Sequence, residues 1–436
     1  MKKEKQTCKH KYWELNLIIA IWIAGLILYI KPIMIGNEYY NKKSEYIDLS
    51  NNSSIEINEC LQKFKYFNNL KAVNFGDRVI TLEDKNKLML AYPNIDFKVI
   101  LTVNISNTYF REDLEVINLN NLPKDELLIE KLELFQNLKE VIIETQELTR
   151  EEKVELITTY PNVFFKYNIK LFDIDLSSYS EELNLSNKRD ISYNELYDAI
   201  KLLPKLKSID LSNTNLSNEE AEKLREDYPN IKIDWIVHLN NKWSLRTDEV
   251  AFSVLITNFN YKRMTSKDIE VLKYCTNLKA LDLGHQDITD ISVIGDYLPE
   301  LRVLILADNK ISDLTPLAKL KHLHYLELFM NNITDLTPLA ECTEMVDLNV
   351  CHNYKLSNIT PILNYTKLER LWISSCKISQ SDYSVLRQKY PNVQMVIKDN
   401  YTSTGSGWRT HTRYYTMINM FYNNYISEEF EKYDDE

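Results

Sequence analysis

"REDYPNIKI", Arg225 to Ile233, closes one helix-like stretch and opens a strand-like one, and its Tyr-Pro-Asn recurs at Tyr92, Tyr160 and Tyr390. The first three tyrosines stand 160 − 92 = 68 and 228 − 160 = 68 residues apart. More than the tripeptide repeats. Leu70, Leu138, Leu206 and Leu368 lie 22 residues before the four tyrosines, and Thr81, Thr149, Ser217 and Ser379 lie 11 before them. Three residues after each hydroxyl comes an acid, Asp84, Glu152, Glu220 or Asp382, completing the Ser/Thr-x-x-acid box that satisfies the orphan amides of a helix start. Leu88, Leu156, Leu224 and Leu386, four before each tyrosine, are the inward helix residues. Each block therefore reads as a strand at the leucine, a turn, a capped helix of about ten residues and a stop. Proline supplies the stop, because the residue before it is pushed out of helical geometry. On this reading Tyr-Pro-Asn is punctuation before the next strand, as in "NIKIDWIVHL".

A 68-residue unit divides into three segments of about 23 residues, the length of one leucine-rich coil. From Leu278 onward such coils stand singly. Leu278, Leu301, Leu323, Met345 and Leu368 open segments spaced 23, 22, 22 and 23. Apolar residues follow three and five positions later, as at Leu304 and Leu306 or Leu326 and Leu328, and eight positions later come Gln286, Asn309, Asn331, Asn353 and Cys376. An asparagine amide there can satisfy the backbone groups of adjoining coils as a ladder. In "ISDLTPLAKL" and "ITDLTPLAEC", Pro316 and Pro338 replace the long helix by a tight convex turn. At 436 residues the chain exceeds what one compact core usually holds, which suits an array. The expected fold class is α/β: a solenoid of roughly fifteen coils, with a parallel sheet on its concave face and helices and 3-10 turns on its convex face.

Leu301 to Ala340, "LRVLILADNKISDLTPLAKLKHLHYLELFMNNITDLTPLA", resembles the 22-residue leucine-rich repeats of internalin-like bacterial surface proteins. The earlier coils, from about residue 46 to 269, resemble more loosely the irregular, helix-bearing repeats that precede such arrays in leucine-rich repeat proteins of Firmicutes. "KWSLRTDEVAFSV" (242–254) and "STGSGWRTHTRYYTMINMF" (403–421) resemble the same group. The resemblance implies a scaffold that binds protein or glycan partners, and it implies no reaction. No LPxTG-type sorting signal closes this chain, so its expected anchoring differs from that of wall-linked internalins.

The anchor is read at the other end. Leu15 to Ile30, "LNLIIAIWIAGLILYI", is apolar all round, and with its flanks (13–35) it approaches the ~20 residues needed to span a bilayer. Lys2, Lys3, Lys5, Lys9 and Lys11 precede it against Glu4 alone. Positive charge stays inside, so the expectation is a cytoplasmic segment 1–12, a transmembrane signal-anchor 13–35 and an extracellular remainder. Within that remainder the divisions are irregular repeats 36–269, regular repeats 270–396, and a C-terminal capping helix with an acidic tail, 397–436. "KWSLRTDEVAFSV" breaks the period and joins the two repeat types, with Trp243 covering the change in curvature. Tyr414, Met417, Ile418, Phe421 and Tyr425 fall on one helix face, expected to seal the last coil.

Composition closes several functional routes. A net charge of −11 leaves no basic stripe for nucleic acid, and seven glycines are too few for Gly-rich phosphate loops. The five cysteines after the anchor show no paired spacing and read as buried thiols. His285, Asp308 and His352 share a column, but the two histidines sit three coils apart, roughly 14 Å at sheet spacing, too far to share one ion. No Gly-x-Ser-x-Gly elbow occurs, so no enzyme, cofactor or metal is expected. Recognition is the remaining route. Strand residues between the core leucines point to the concave face, where Tyr325, Phe329, Met330 and Trp372 would form an exposed aromatic patch, flanked by His324, Glu327 and Arg370. The expected partner there is a protein or cell-surface ligand. The alternative is a structural array organising an envelope or membrane-protein complex.

Overall fold

The computed structural model describes residues 17–22, 31–52, 55–254, 262–398 and 402–431. It divides into two compact units, Met1–Tyr179 and Ser180–Glu436.

In the first unit, parallel strands Tyr46–Asp48, Ala72–Ile80 and Asp96–Ile105 form one sheet, and Val116–Asn118, Glu140–Ile142 and Phe164–Lys166 form another. The middle residues, Ile47, Val73, Ile117 and Val141, point inward and are buried. The first sheet ends in an antiparallel hairpin closing through Ser106–Asn107, and the second is followed by a separate two-stranded hairpin closing through Phe172–Asp173. Both residues of each pair have positive φ, as the tightest hairpin turn requires. These hairpins are additional to the plain strand-turn-helix blocks read from the sequence.

The second unit repeats the pattern once, with strands Glu182–Asn184, Ser208–Asp210 and Lys232–Asp234 and a hairpin Ile236–His238/Ser244–Arg246. A seven-stranded parallel sheet follows, running in chain order from Ala251–Ser253 to Gln394–Val396. "KWSLRTDEVAFSV" thus supplies a hairpin arm and the first strand of this sheet. Leu281, Leu304, Leu326, Leu348 and Leu371 occupy the centres of successive strands, in register and fully buried.

The asparagine ladder is built as its spacing requires. Asn331 donates through Nδ2 to the carbonyls of Leu306 (2.9 Å) and Leu328 (3.2 Å), and its Oδ1 accepts from the Ile311 amide (3.0 Å). Asn309 and Asn353 repeat the set one coil either side. On the convex side, 3-10 helices Thr315–Lys319, Thr337–Leu339 and Thr360–Asn364 each carry proline in the first turn, where the missing N–H costs nothing.

The four helices expected from the Ser/Thr-x-x-acid boxes are Leu82–Ala91, Arg150–Thr159, Asn218–Asp227 and Gln380–Lys389, capped by Thr81, Thr149, Ser217 and Ser379. Tyr92, Tyr160, Tyr228 and Tyr390 take the C-cap position of each. They are more than punctuation. Each phenol donates to a backbone carbonyl of the preceding coil: Leu61 (2.5 Å), Ile129, Tyr197 (2.7 Å) and Ile362 (2.5 Å).

The expected membrane span is shortened at its C-terminal end. Ile33–Ile35 is a β-strand paired antiparallel to Glu38–Tyr40, not the end of a helix. Among the described residues no helix is long and apolar enough to cross a membrane. Residues 17–22 are helical, whereas 1–16 and 23–30, which carry the basic segment and most of the expected span, lie outside the described residues.

Candidate functional site: the covered concave face

The strands of the seven-stranded sheet carry Tyr325, Glu327, Arg370 and Trp372 onto the concave face, but there these side chains do not meet solvent. His324, Tyr325, Glu327, Phe329, Arg370 and Trp372 are buried, and of the seven expected site residues Met330 alone is exposed, at 44 %. The expectation of an open aromatic patch is corrected by the chain's own C-terminal segment. Residues 402–431 return across the sheet, with the helix Thr412–Asn423 facing inward through Arg413, Met417 and Met420. Their apolar side chains, with Trp408 and Phe430, pack in one cluster with Ala251, Ala280, Val303, Tyr325 and Trp372. The segment is therefore a strap over the concave face, not a plug on the last coil. The beginning of the acidic tail belongs to it, since Phe430 is buried and Glu431 pairs with Lys279 (3.0 Å).

The strap opens with a turn at Gly407, whose φ of +86° favours glycine and delivers Trp408 into the groove. The Trp408 ring lies 5.2 Å from Tyr325 and 5.1 Å from Trp372, between ring centroids, with the Arg370 guanidinium 4.4 Å from its own centroid. Its indole N–H donates to Glu327 Oε2 (3.1 Å), and Arg409 reaches Glu327 Oε1 (3.4 Å). The Trp372 indole N–H donates in turn to Ser406 Oγ (3.1 Å).

Below the aromatic anchor lies a charge cluster. Arg370 grips Asp347 through Nε (2.9 Å) and Nη2 (2.5 Å) and donates Nη1 to the Trp408 carbonyl (3.1 Å). Arg413 meets both oxygens of the same carboxylate at 2.8 Å and reaches Glu369 (2.6 Å) and Glu429 (3.0 Å). Burial alone would lower the Arg413 pKa, but the Asp347 charge outweighs it and the guanidinium stays charged. Burial pushes the Tyr325 phenol well above its usual value, Glu327 adding to the effect, and burial likewise raises Asp282. At the far end Asn424, in left-handed geometry, accepts the Val250 (2.8 Å) and Ala251 (3.2 Å) amides at the first strand of the sheet.

Met330 sits on the rim. His285, Asp308, Met330, His352 and Ser375 occupy one column there, each with φ between 53° and 59°. Beside Met330, His352 packs edge-on against Phe329 (4.9 Å) and contacts the exposed Tyr354. His285 Nδ1 lies 3.0 Å from Asp308, which also meets Arg263 (3.1 Å). Among the described residues no group of three His, Cys, Asp or Glu side chains is placed to hold a metal ion.

Trp408, Arg409, Arg413 and Asn424 were not among the expected site residues. Their signal was present as an aromatic and two arginines in "GWRTHTR", opposite the acids Glu327, Asp347 and Glu369 of the concave columns.

The family model described as "Leucine Rich repeats (2 copies)" matches residues 299–341, a stretch that carries Asn309 and Asn331 of the ladder and the proline turns at Pro316 and Pro338. Residues 299–341 thus match leucine-rich repeats. Chaoptin of Drosophila melanogaster is 30 % identical over 144 residues, which is 30 % of this chain and 11 % of chaoptin. The chain thus spans about a tenth of the curated relative it matches. Among solved structures, an internalin of Listeria monocytogenes is 18 % identical, with 77 % of this chain and 76 % of that one covered and a TM-score of 0.32. A leucine-rich repeat protein of Leptospira interrogans is also 18 % identical, covering 81 % of this chain and 90 % of its own, with a TM-score of 0.31. Assignment of these leucine-rich repeats rests on the matched stretch and on the coil geometry itself.

Proposed function

We propose that this protein is a non-catalytic recognition scaffold, tethered to the cell membrane through its N-terminal helix, that displays its leucine-rich repeats outside the cell and binds a protein partner. One observation carries the reading. The concave sheet already grips a helix-bearing segment through a buried tryptophan and arginine forks, the side chains that anchor protein interfaces. The membrane tether is supported by the apolar run 13–30 and the lysines before it. A second reading, an array that organises an envelope or membrane-protein complex by its outer surfaces, is favoured by the covered state of the concave face.

The test places a photo-crosslinking residue at Met330, on the rim of the concave face, and at Lys321, away from it, in the full chain in intact cells. The recognition reading expects a protein adduct at Met330 and none at Lys321. Adducts at Lys321 alone would favour the structural array. Protease added to intact cells tests the display: an array that is digested only after lysis is not on the outside.

A further inference from the structure

We infer that Ser403–Phe430 is a cis ligand occupying a peptide-binding groove, and that its trans occupant is a protein segment presenting an indole followed by guanidinium groups. The inference deepens the recognition reading and rests on it.

Three features separate the strap from an ordinary part of the core. Its backbone is satisfied locally: the described strap amides that bond to backbone carbonyls find them within the strap, as Trp408 does on Ser403 and Tyr425 on Met420. The bonds it makes to the sheet all involve a side chain, so undocking breaks no β-ladder. Next, the sheet residues beneath it include Asp282, Glu327, Asp347, Asn349 and Arg370, groups that water would solvate readily if the strap left. The leucines of the same strands, Leu281, Leu304, Leu326, Leu348 and Leu371, are fully buried and lie outside the cluster that the strap joins. Finally, the groove matches its occupant in charge. Glu327, Asp347 and Glu369 receive Arg409 and Arg413, while Tyr325 and Trp372 receive Trp408. Such a face holds a folded segment by side-chain recognition and loses nothing essential to the coil when the segment exchanges for another of like chemistry.

The probe is a fluorescein-labelled synthetic peptide of residues 402–431, added to the full chain and to a Trp408→Ala, Arg413→Ala full-chain variant. Weakening the cis competitor should make the variant bind the peptide at least about tenfold more tightly than the parent does. A peptide carrying the same two alanines should not bind. Hydrogen exchange on the unaltered chain is the second measurement, and it stands even if the variant fails to fold. Helix 412–423 should exchange through a local opening while strands 303–305, 325–327 and 347–349 stay protected. Failure of the peptide to bind a variant whose strands keep their protection overturns the inference, as does exchange of strap and sheet in a single event. Peptide binding without any adduct at Met330 in cells would keep the cis site and overturn the trans occupant, whereas an adduct at Met330 without peptide binding would keep recognition and overturn the cis ligand.

Discussion

Asp347 accepts four hydrogen bonds from two guanidinium groups, one from the sheet and one from the strap, and has no exposure to water. A carboxylate so placed costs several kcal/mol to desolvate and is tolerated because both its oxygens are filled by charged donors. Removing it leaves Arg370 and Arg413 facing each other, with the Arg413 bonds to Glu369 and Glu429 and the Arg370 contacts with Trp408 to offset the repulsion. Breaking a buried pair typically costs about 3–5 kcal/mol. The cost here has an outlet, because lifting the strap returns both arginines to water. Asp347→Ala is therefore expected to weaken strap docking by about 3 kcal/mol, roughly a hundredfold in amide exchange of helix 412–423, with strand 303–305 little changed. Exchange by mass spectrometry reads both regions at once, and equal loss in both would show that Asp347 supports the sheet and not the strap. From sequence, Asp347 was a concave acid among several. Its partner Arg413 lies 66 residues further on, in a stretch whose helical period was legible but whose destination was not.

At the scale of elements, what recurs at fixed spacing was readable and what depends on a single turn was not. The capping residues Thr81, Thr149, Ser217 and Ser379 follow from local hydrogen bonding between residues three apart, so the sequence pattern and the observed helix starts coincide. The ladder at Asn309, Asn331 and Asn353 is legible for the same reason, one side chain serving the same backbone groups in every coil. The hairpins stayed hidden because Ser106–Asn107 and Phe172–Asp173 carry no glycine to announce positive φ. The strap stayed hidden because period fixes the direction of a side chain and says nothing of what later covers it. The terminal tyrosines fall between these cases: proline explains the stop, and only the neighbouring coil explains the phenol. Tyr228→Phe should leave helix Asn218–Asp227 in place while removing the bond to Tyr197, a loss of about 1 kcal/mol. Thermal melting would register it as a shift of a few degrees, and an unchanged melting temperature would return the tyrosine to punctuation.

At the scale of the whole chain, titrating groups bound the pH range of stability from both sides. On the acid side, Asp290, Asp313 and Asp335 recur at the start of the convex turns, where the hydroxyls and amides of Ser292, Thr315 and Thr337 hold their pKa values below the usual carboxylate range. A depressed folded-state pKa means stability that is present above the unfolded value, near 4, and lost as pH falls through the folded one. The next coil has Asn358 in this position, with its Oδ1 accepting from the Thr360 amide (3.0 Å), so a neutral side chain can make the same turn. On the alkaline side, burial pushes the thiols of Cys60, Cys275 and Cys376 up to about 12 and that of Cys342 to about 11. In the unfolded chain these thiols ionise near pH 8.5, so the stability they allow is complete below that value and declines as pH rises toward the folded values, by up to about 1.4 kcal/mol per pH unit for each thiol. Melting temperature should therefore fall toward acid pH as these aspartates protonate and fall above about pH 8.5 as the thiols ionise. An Asp313→Asn, Asp335→Asn variant should flatten the acid limb and leave the alkaline one as it was. A thiol reagent at pH 8 should label Cys60, Cys275, Cys342 and Cys376 slowly in the native chain and at once in the unfolded chain, because burial withholds both access and the reactive thiolate. Rapid native labelling would place the alkaline limb on other groups, and the tyrosines are the next in line, since burial raises Tyr167 and Tyr228 to about 12 as well.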